Sequence, residues 1–547
     1  MDDASADRAA GTLGRRRFLA LAAGAVAGSA APRRAGARER PVRGGVLKQI
    51  GVDPPTFDVH ATASDQTQLV SSLVRRTLFK VGCGARHAPS DFTLAPDLAL
   101  RIVTSADGQT HTLALRPGVR WESRPPVNGR ELVAADVKYS LERVLRKSPY
   151  AALLGPVERI DAPDRRTVRI HLADSFGPFV QNLAAPWTAI VPPEVEDRLG
   201  DLKAAESLVG CGPFVLERYE PGVKAVFSRN PTYHARGLPH LDKVEWLFIK
   251  ARATRLALFG AGQVDLPDHD ARIPRSEVAA LRAANPAYPI VSWDGLAVRS
   301  LAMRTDRPPF NDVRVRRALS LALDRRTWVA EHLVDGDGAQ AHGPVPGAMR
   351  PWSLAAGQLG EGARYLEHDP AMARTLLAEA GFLAGLKVKC TSWPGYGPEY
   401  VDDLERLAGH LQRAGVELQI VNEDYGPYIR GSFLGRFDEA TWGPSSIFTD
   451  VDGYLSGSFR TGQAGNRSHV ADPQLDAMLE AQRRVGSMSS RKRIVDEIQR
   501  RAAAQVYYVY TPYARNVSSW APRVRNYGPK NSFDRGAQLE AVWLDPA

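Results

Sequence analysis

The alternation of apolar and polar residues changes period several times along this chain. In TVRIHLAD, residues 167–174, Val168, Ile170 and Leu172 occupy every second position, the spacing of a strand with one buried face. KVEWLFIK (243–250) and VELQIVNED (416–424) read the same way and are rich in β-branched and aromatic residues. Elsewhere the period lengthens. In DVRVRRALSLALDRRTW, Val315, Leu319, Ala322 and Leu323 recur at i, i+4, i+7 and i+8 behind Asn311 or Asp312, which predicts one capped helix. AADVKYSLERVL places Val137, Leu141, Val144 and Leu145 on one helical face, with Asp136 at the positive end of the helix dipole. Two further helices open with Asp369-Pro370 and Asp472-Pro473, where Asp caps the free amides and Pro takes the position whose N–H is unpaired anyway. Gly381 ends the first of these as a C′ residue. Pro117-Gly118, Pro221-Gly222 and Pro346-Gly347 mark turns, and LALRPGVRW reads as strand, turn and second strand with Trp121 available for a core. Strand and helix signals interleave throughout, so the chain is mixed α/β.

The N-terminus departs from this pattern. GRRRFL, residues 14–19, leads into a stretch from Phe18 to Ala31 of 14 residues without a charge, half of them Ala. A bilayer-crossing helix needs roughly 20 apolar residues, so this run is too short. A basic start, a short mildly apolar segment and the A-x-A sequence Ala35-Gly36-Ala37 describe an export signal over residues 1–37, cleaved near Ala37. Arg15-Arg16 followed by x-Phe-Leu is similar to the twin-arginine signal, whose cargo crosses folded; Gly14 stands where that signal often has Ser or Thr. The expected compartment is the periplasm.

Removing that segment changes the charge balance. The full chain carries +10; residues 1–37 hold six Arg and three Asp, which leaves +7 on the mature chain. So mild a balance, with no block of like charge, excludes a nucleic-acid arm. The densest basic cluster, Arg314, Arg316, Arg317, Arg325 and Arg326, is expected to form the solvated face of its helix. A mature chain of this length exceeds one core, so two or three lobes are expected. Cys83, Cys211 and Cys390 are odd in number and widely spaced; they read as small buried hydrophobes, compatible with at most one bridge. The 12 histidines have no metal-ligand spacing, and neither a metal nor another cofactor is expected. HExxH, GxSxG and P-loop motifs are absent, and Ser489-Ser490-Arg491-Lys492 fits S-x-x-K without its companion motifs, so no enzyme is expected.

Six segments in a fixed order resemble one family. GGVLKQIGVDPPTFDVHAT (44–62) resembles its opening strand and turn. LAPDLALRIVTSADGQTHTLALRPGVRWESRPPVNGRELVAADVKYSLERVL (94–145) resembles its most diagnostic signature. VGCGPFVLERYEPGVKAVFSRNPTYH (209–234), PPFNDVRVRRALSLALDR (308–325), ARTLLAEAGF (373–382) and FRTGQAGNRSHVADPQLDAML (459–479) complete the set. Together they are similar to the extracytoplasmic solute-binding proteins, family 5 (peptide/nickel-binding, oligopeptide- and dipeptide-binding type), of ABC importers. The resemblance implies an α/β, periplasmic-binding-protein-like two-lobed (type II) fold with an additional N-lobe domain. It would place lobe I in 44–81, 206–290 and 505–547, the additional domain in 82–205 and lobe II in 291–504. It further implies a monomer that takes a small-molecule or peptide ligand into the interlobe cleft and delivers it to a membrane permease and ATPase complex. A ligand sensor or recruitment module without transport, or else an exported hydrolase, is the alternative. The family usually has Thr or Asn at the cap of the helix at 134; Val133 stands there, so another group is expected to take the cap's place.

The same resemblance directs attention to FDEATWGPSSIFTDVDGYLSGSF (437–459). Peptide-binding relatives carry an Asp three residues after the matching Trp, Trp442 here, which pairs with the peptide's ammonium; this chain has Ser445. Asp450 and Asp452 follow, either as cation partners or as turn and helix-capping carboxylates. Trp393 and Tyr396 lie in a Gly/Pro-rich loop after a strand, where open α/β sheets expose binding groups. Arg304 replaces the family's usual Asn and, if it faces the cleft, forks onto a ligand carboxylate.

Overall fold

The computed structural model describes residues 40–269, 271–332, 338–339, 343–349, 352–485 and 488–546. The export segment expected over residues 1–37 lies outside them. Among the described residues no helix is long and apolar enough to cross a membrane.

Three sheets organise the chain. The first has four strands in the order Val46–Gly51, Lys243–Phe248, Lys224–Arg229 and Phe214–Glu220, the first pair parallel and the others antiparallel. Val244, Trp246 and Phe248 point to its buried face as the alternation predicts. The second is an antiparallel sheet of Ala99–Thr104, Thr110–Leu115, Thr167–Leu172 and Val157–Asp161, all within the expected additional domain. Helix Ala134–Lys147 buries Val137, Leu141 and Val144 in the core beneath it. The third has five strands in the order Val416–Asn422, Leu386–Ser392, Ala440–Pro444, Arg299–Met303 and Tyr508–Tyr510. Between the first and third sheets the chain passes twice, and the two passages pair as the antiparallel strands Ile290–Trp293 and Asn516–Ser519.

Helix starts follow the capping residues closely. Asp312 caps Val313–Leu321, Asp369 caps Pro370–Glu379 and Asp472 caps Pro473–Arg484, each accepting a first-turn N–H. Val133 has no acceptor to offer; the Asp136 carboxylate reaches back and takes the Val133 N–H at 2.9 Å.

Several expectations change. The helix expected from 312 to 328 is two, Val313–Leu321 and Arg325–His332. Its last carbonyls are taken from outside: Ser320 O accepts from Arg325 Nη1 at 2.9 Å and Leu321 O from Asp369 N at 2.9 Å. The basic cluster is correspondingly not one solvated face. Arg316 and Arg325 are buried, and Arg316, Arg317 and Arg325 donate to backbone carbonyls such as Phe310 O, Ala504 O and Tyr510 O; Arg314 and Arg326 stay exposed. The strand expected after Pro117-Gly118 shrinks to a bridge between Arg120 and Glu131, although Trp121 is fully buried. Val416–Asn422 lies at a sheet edge with Ile420 and Val421 exposed, because it has one neighbour only. Tyr508–Tyr510, inside the 505–547 stretch expected in lobe I, pairs instead with Arg299–Met303 of the third sheet. The three cysteines are all unpaired, and Cys211 and Cys390 are the buried side chains expected, whereas Cys83 is only partly buried.

Buried arginines rivet the first sheet to the additional domain. Arg143 on helix Ala134–Lys147 forks onto Asp58 at 2.7 Å through both terminal nitrogens and donates Nε to Glu196 at 2.9 Å. Burial alone would raise the Asp58 carboxyl; Arg143 outweighs it and holds the group below the usual carboxylate range. Arg76, just past helix Asp65–Val74, bridges Asp97 and Asp534.

The VGCGPF segment has a steric reason for its glycines. A Cβ on Gly210 would stand 1.9 Å from Val74 O, and one on Gly212 2.6 Å from the same atom, which already accepts the Gly212 N–H. Gly210→Ala is therefore expected to lower stability by about 1–3 kcal/mol or more, since the obstacle is backbone and cannot swing aside. Gly409→Ala, in a helix interior with open space around the new methyl, should raise it by about 0.5–1 kcal/mol. Urea midpoints at constant slope measure both.

Candidate functional site

Strand ends and loops of the first and third sheets enclose a gap of three adjoining chambers. The inner chamber, about 70 Å³, has Asp65, Arg272, Trp293 and Asn516 on one side and Tyr396, Ser445 and Phe433 on the other. It shares Arg272, Arg299, Tyr396, Tyr400 and Asn516 with an outer chamber of about 320 Å³. It shares Phe433, Ser445 and Ser446 with a side chamber of about 40 Å³. The result is one elongated cleft walled by both halves.

Two of the residues expected from sequence line it. Tyr396, in the short turn after Leu386–Ser392, opens onto the inner and outer chambers, and burial pushes its hydroxyl well above its ordinary range. Its ring packs edge-on against Trp393 with centroids 4.6 Å apart, and Trp393 in turn meets Tyr425 at 4.4 Å. Trp393 thus backs the wall that Tyr396 presents and lines none of the three chambers. Ser445 follows strand Ala440–Pro444 and touches both the inner and side chambers. Its N–H donates to Val298 O at 2.8 Å and its Oγ accepts from Val298 N at 3.0 Å, so it extends by one rung the ladder between Arg299–Met303 and Ala440–Pro444.

The other four are placed elsewhere. Trp442 is core: its indole N–H donates to Tyr400 O and its carbonyl accepts from the Tyr428 hydroxyl. Arg304 spends its donors on both Asp306 oxygens and on Phe437 O, so no fork remains for a ligand carboxylate. Asp450 caps helix Val451–Phe459 and pairs with Arg491. Asp452 is fully buried, accepting from Arg483 Nε and Nη2 at 2.8 and 3.0 Å and from Ser456 Oγ at 2.8 Å. None of these four lines any of the three chambers. Of the two readings of Asp450 and Asp452, the structure takes the structural one, because the arginines that hold them come from helices thirty to forty residues on.

A carboxylate not singled out from the sequence does line the inner chamber. Asp65 opens helix Asp65–Val74 just after its cap, Ser64. It accepts from Gln66 N at 2.8 Å and the Tyr425 hydroxyl at 2.7 Å, and it makes no ion pair with any described residue. Its charge, after burial, holds the Tyr425 hydroxyl well above the ordinary range. In sequence, Ser64-Asp65 reads as a helix start and carries no other signal. Among the described residues no group of three His, Cys, Asp or Glu side chains is arranged to hold a metal ion.

Comparison with known proteins adds a family and a fold. The model of "Bacterial extracellular solute-binding proteins, family 5 Middle" matches residues 93–466. Di/tripeptide-binding protein 2 of Pseudomonas aeruginosa is 27% identical over 444 residues, covering 76% of this chain and 80% of the relative. The glutathione-binding protein GsiB of Salmonella typhimurium is 27% identical over 391 residues, 70% of each. Among solved structures, the PBP AgaA in complex with agropinic acid, from A. tumefaciens, superposes with a TM-score of 0.81 at 23% identity, covering 92% of this chain and 99% of that one.

Asp452→Asn is expected to cost about 3 kcal/mol, because it leaves the buried Arg483 with only the half-exposed Glu480, 3.6 Å away, as counter-charge. Urea unfolding measures that loss. Ligand affinity of the folded fraction should stay within about threefold of the parent, which is less than 1 kcal/mol.

Proposed function

The chain belongs to family 5 of the bacterial extracellular solute-binding proteins, and on that footing we propose that it is the substrate-binding subunit of an ABC importer for small amino-acid-derived solutes. The similar proteins bind di- and tripeptides, glutathione and agropinic acid, which supports a ligand of that size and chemistry. Residues 1–37 direct export to the periplasm and are removed near Ala37, and the mature protein acts as a monomer that presents its closed form to a permease and ATPase.

The observation that carries the reading is the Asp65 carboxylate, which makes no ion pair with any described residue, in a chamber whose walls come from both halves. Where peptide-binding relatives resemble one another in an Asp, Ser445 is neutral and already bonded to Val298. An ammonium entering the inner chamber meets Asp65 instead. It makes a charge-assisted hydrogen bond at one wall while Tyr396 covers its apolar part from the other. Contacts to both walls exist only when the gap is narrow, so ligand binding favours the closed form. No bond of the solute is made or broken.

Calorimetry with a dipeptide and its N-acetyl derivative tests this. The parent protein should bind the free amine about ten- to hundredfold more tightly, the value of one charge-assisted hydrogen bond. Asp65→Asn should abolish that preference, and Ser445→Ala should leave it standing. A full preference for the amine in Asp65→Asn would sink the assignment, and mass spectrometry that finds the bound solute hydrolysed would sink the binding-only function.

A further inference from the structure

The outer chamber adds two arginines, Arg252 and Arg255, that the inner chamber lacks. Helix Arg252–Gly260 begins with Arg252 and Arg255, one turn apart, at the end where the helix dipole repels cations. Both guanidinium groups line the chamber, and neither makes a hydrogen bond or ion pair with a described residue. The Nε atom of each is removed from solvent without an acceptor. Two more helices start on the same chamber: Arg275–Ala284 and Pro398–Arg413 contribute their first residues to its wall. None of the three helices has a side-chain hydrogen bond at its N-cap, so their first-turn amides also stand uncapped by side chains.

The wall contains seven arginines against four carboxylates, Asp268, Glu399, Asp402 and Asp403. Asp403 is held by Arg299 and Arg406, and Asp268 lies 3.7 Å from Arg272. Glu399 and Asp402 stand on the other half, and no described ion pair joins them to Arg252 or Arg255. Arg252 and Arg255 are thus left without an ion-pair partner among the described residues.

We propose that Arg252 and Arg255 form a subsite for an acidic side-chain carboxylate of the same solute whose amine rests at Asp65, so that the protein selects acidic peptides and peptide-like acids. This rests on the amine reading above for its orientation only. Asp65 lines only the inner chamber and Arg252 and Arg255 only the outer one, so a solute enters one way round. Planar guanidinium groups grip a carboxylate with two parallel hydrogen bonds, and the uncapped amides accept the same charge.

The test uses Ala-Ala-Glu and Ala-Ala-Gln, which differ only in side-chain charge, by calorimetry on the mature protein. The parent should prefer the acid by at least about tenfold. Arg252→Gln with Arg255→Gln should bring the two peptides within about threefold by weakening the acid alone, and Arg252→Lys with Arg255→Lys should restore part of the preference. Equal binding of both peptides by the parent overturns this inference and leaves the amine reading in place. Equal weakening of both peptides by the double Gln variant overturns it too, and assigns the arginines to closure against Glu399 and Asp402. Failure of every free-amine peptide to bind overturns the amine reading along with it.

Discussion

Buried arginines are satisfied inside each half, by carboxylates or by carbonyls and amides, and left unsatisfied at the gap between the halves. Arg143 with Asp58, Arg76 with Asp97 and Asp534, and Arg483 with Asp452 are all buried, and each positive group meets a carboxylate within 3 Å. A buried charge without a partner costs several kcal/mol, so these pairs lock the elements that carry them. Asp65, Arg252 and Arg255 are treated differently: they stand on the gap, where water can solvate them until something else arrives. The rigidity of the two bodies and the appetite of the space between them are one arrangement of charge.

That arrangement suits a motion with one soft coordinate. The halves communicate through the paired passages Ile290–Trp293 and Asn516–Ser519. Swinging a two-state equilibrium from mostly open to mostly closed takes roughly 5.5 kcal/mol of differential affinity. Charge-assisted hydrogen bonds contribute about 1.5–3 kcal/mol each, so two such contacts with the apolar burial offered by Tyr396 and Phe433 reach that range. A solute that touches only one wall supplies no differential affinity, however firmly it is held.

Local rules were readable in the residues because their causes are local. Asp312, Asp369 and Asp472 cap the helices that follow them, and Val168, Ile170 and Leu172 alternate into a core, since neighbours within a few residues decide both. The misplacements share a different cause. Arg316 and Arg325 look like a solvated stripe until carbonyls from residues 504–510, nearly two hundred positions away, come within reach. Asp450 and Asp452 look available until Arg491 and Arg483 pack against them. Tyr508–Tyr510 looks like part of the last segment until Arg299–Met303 claims it as a sheet neighbour. Asp65 has the converse history: it reads as an ordinary helix start, and its distant partner, the Tyr425 hydroxyl, leaves its charge unmatched by any ion pair among the described residues.

The motifs that identify the family are accordingly silent about the solute. Gly210 and Gly212 are required by the Val74 carbonyl, Asp136 by the missing cap at Val133, and Trp121 by the core. Each of these demands is met inside one rigid body, so each survives a change of ligand. The residues that face the gap answer to no such demand, and their stability cost is visible in the arginines at the start of Arg252–Gly260, where an isolated helix would favour acids. Within this fold, a side chain that violates its local rule and borders the cleft is the strongest pointer to what the cleft accepts, because only an absent partner can make that violation favourable.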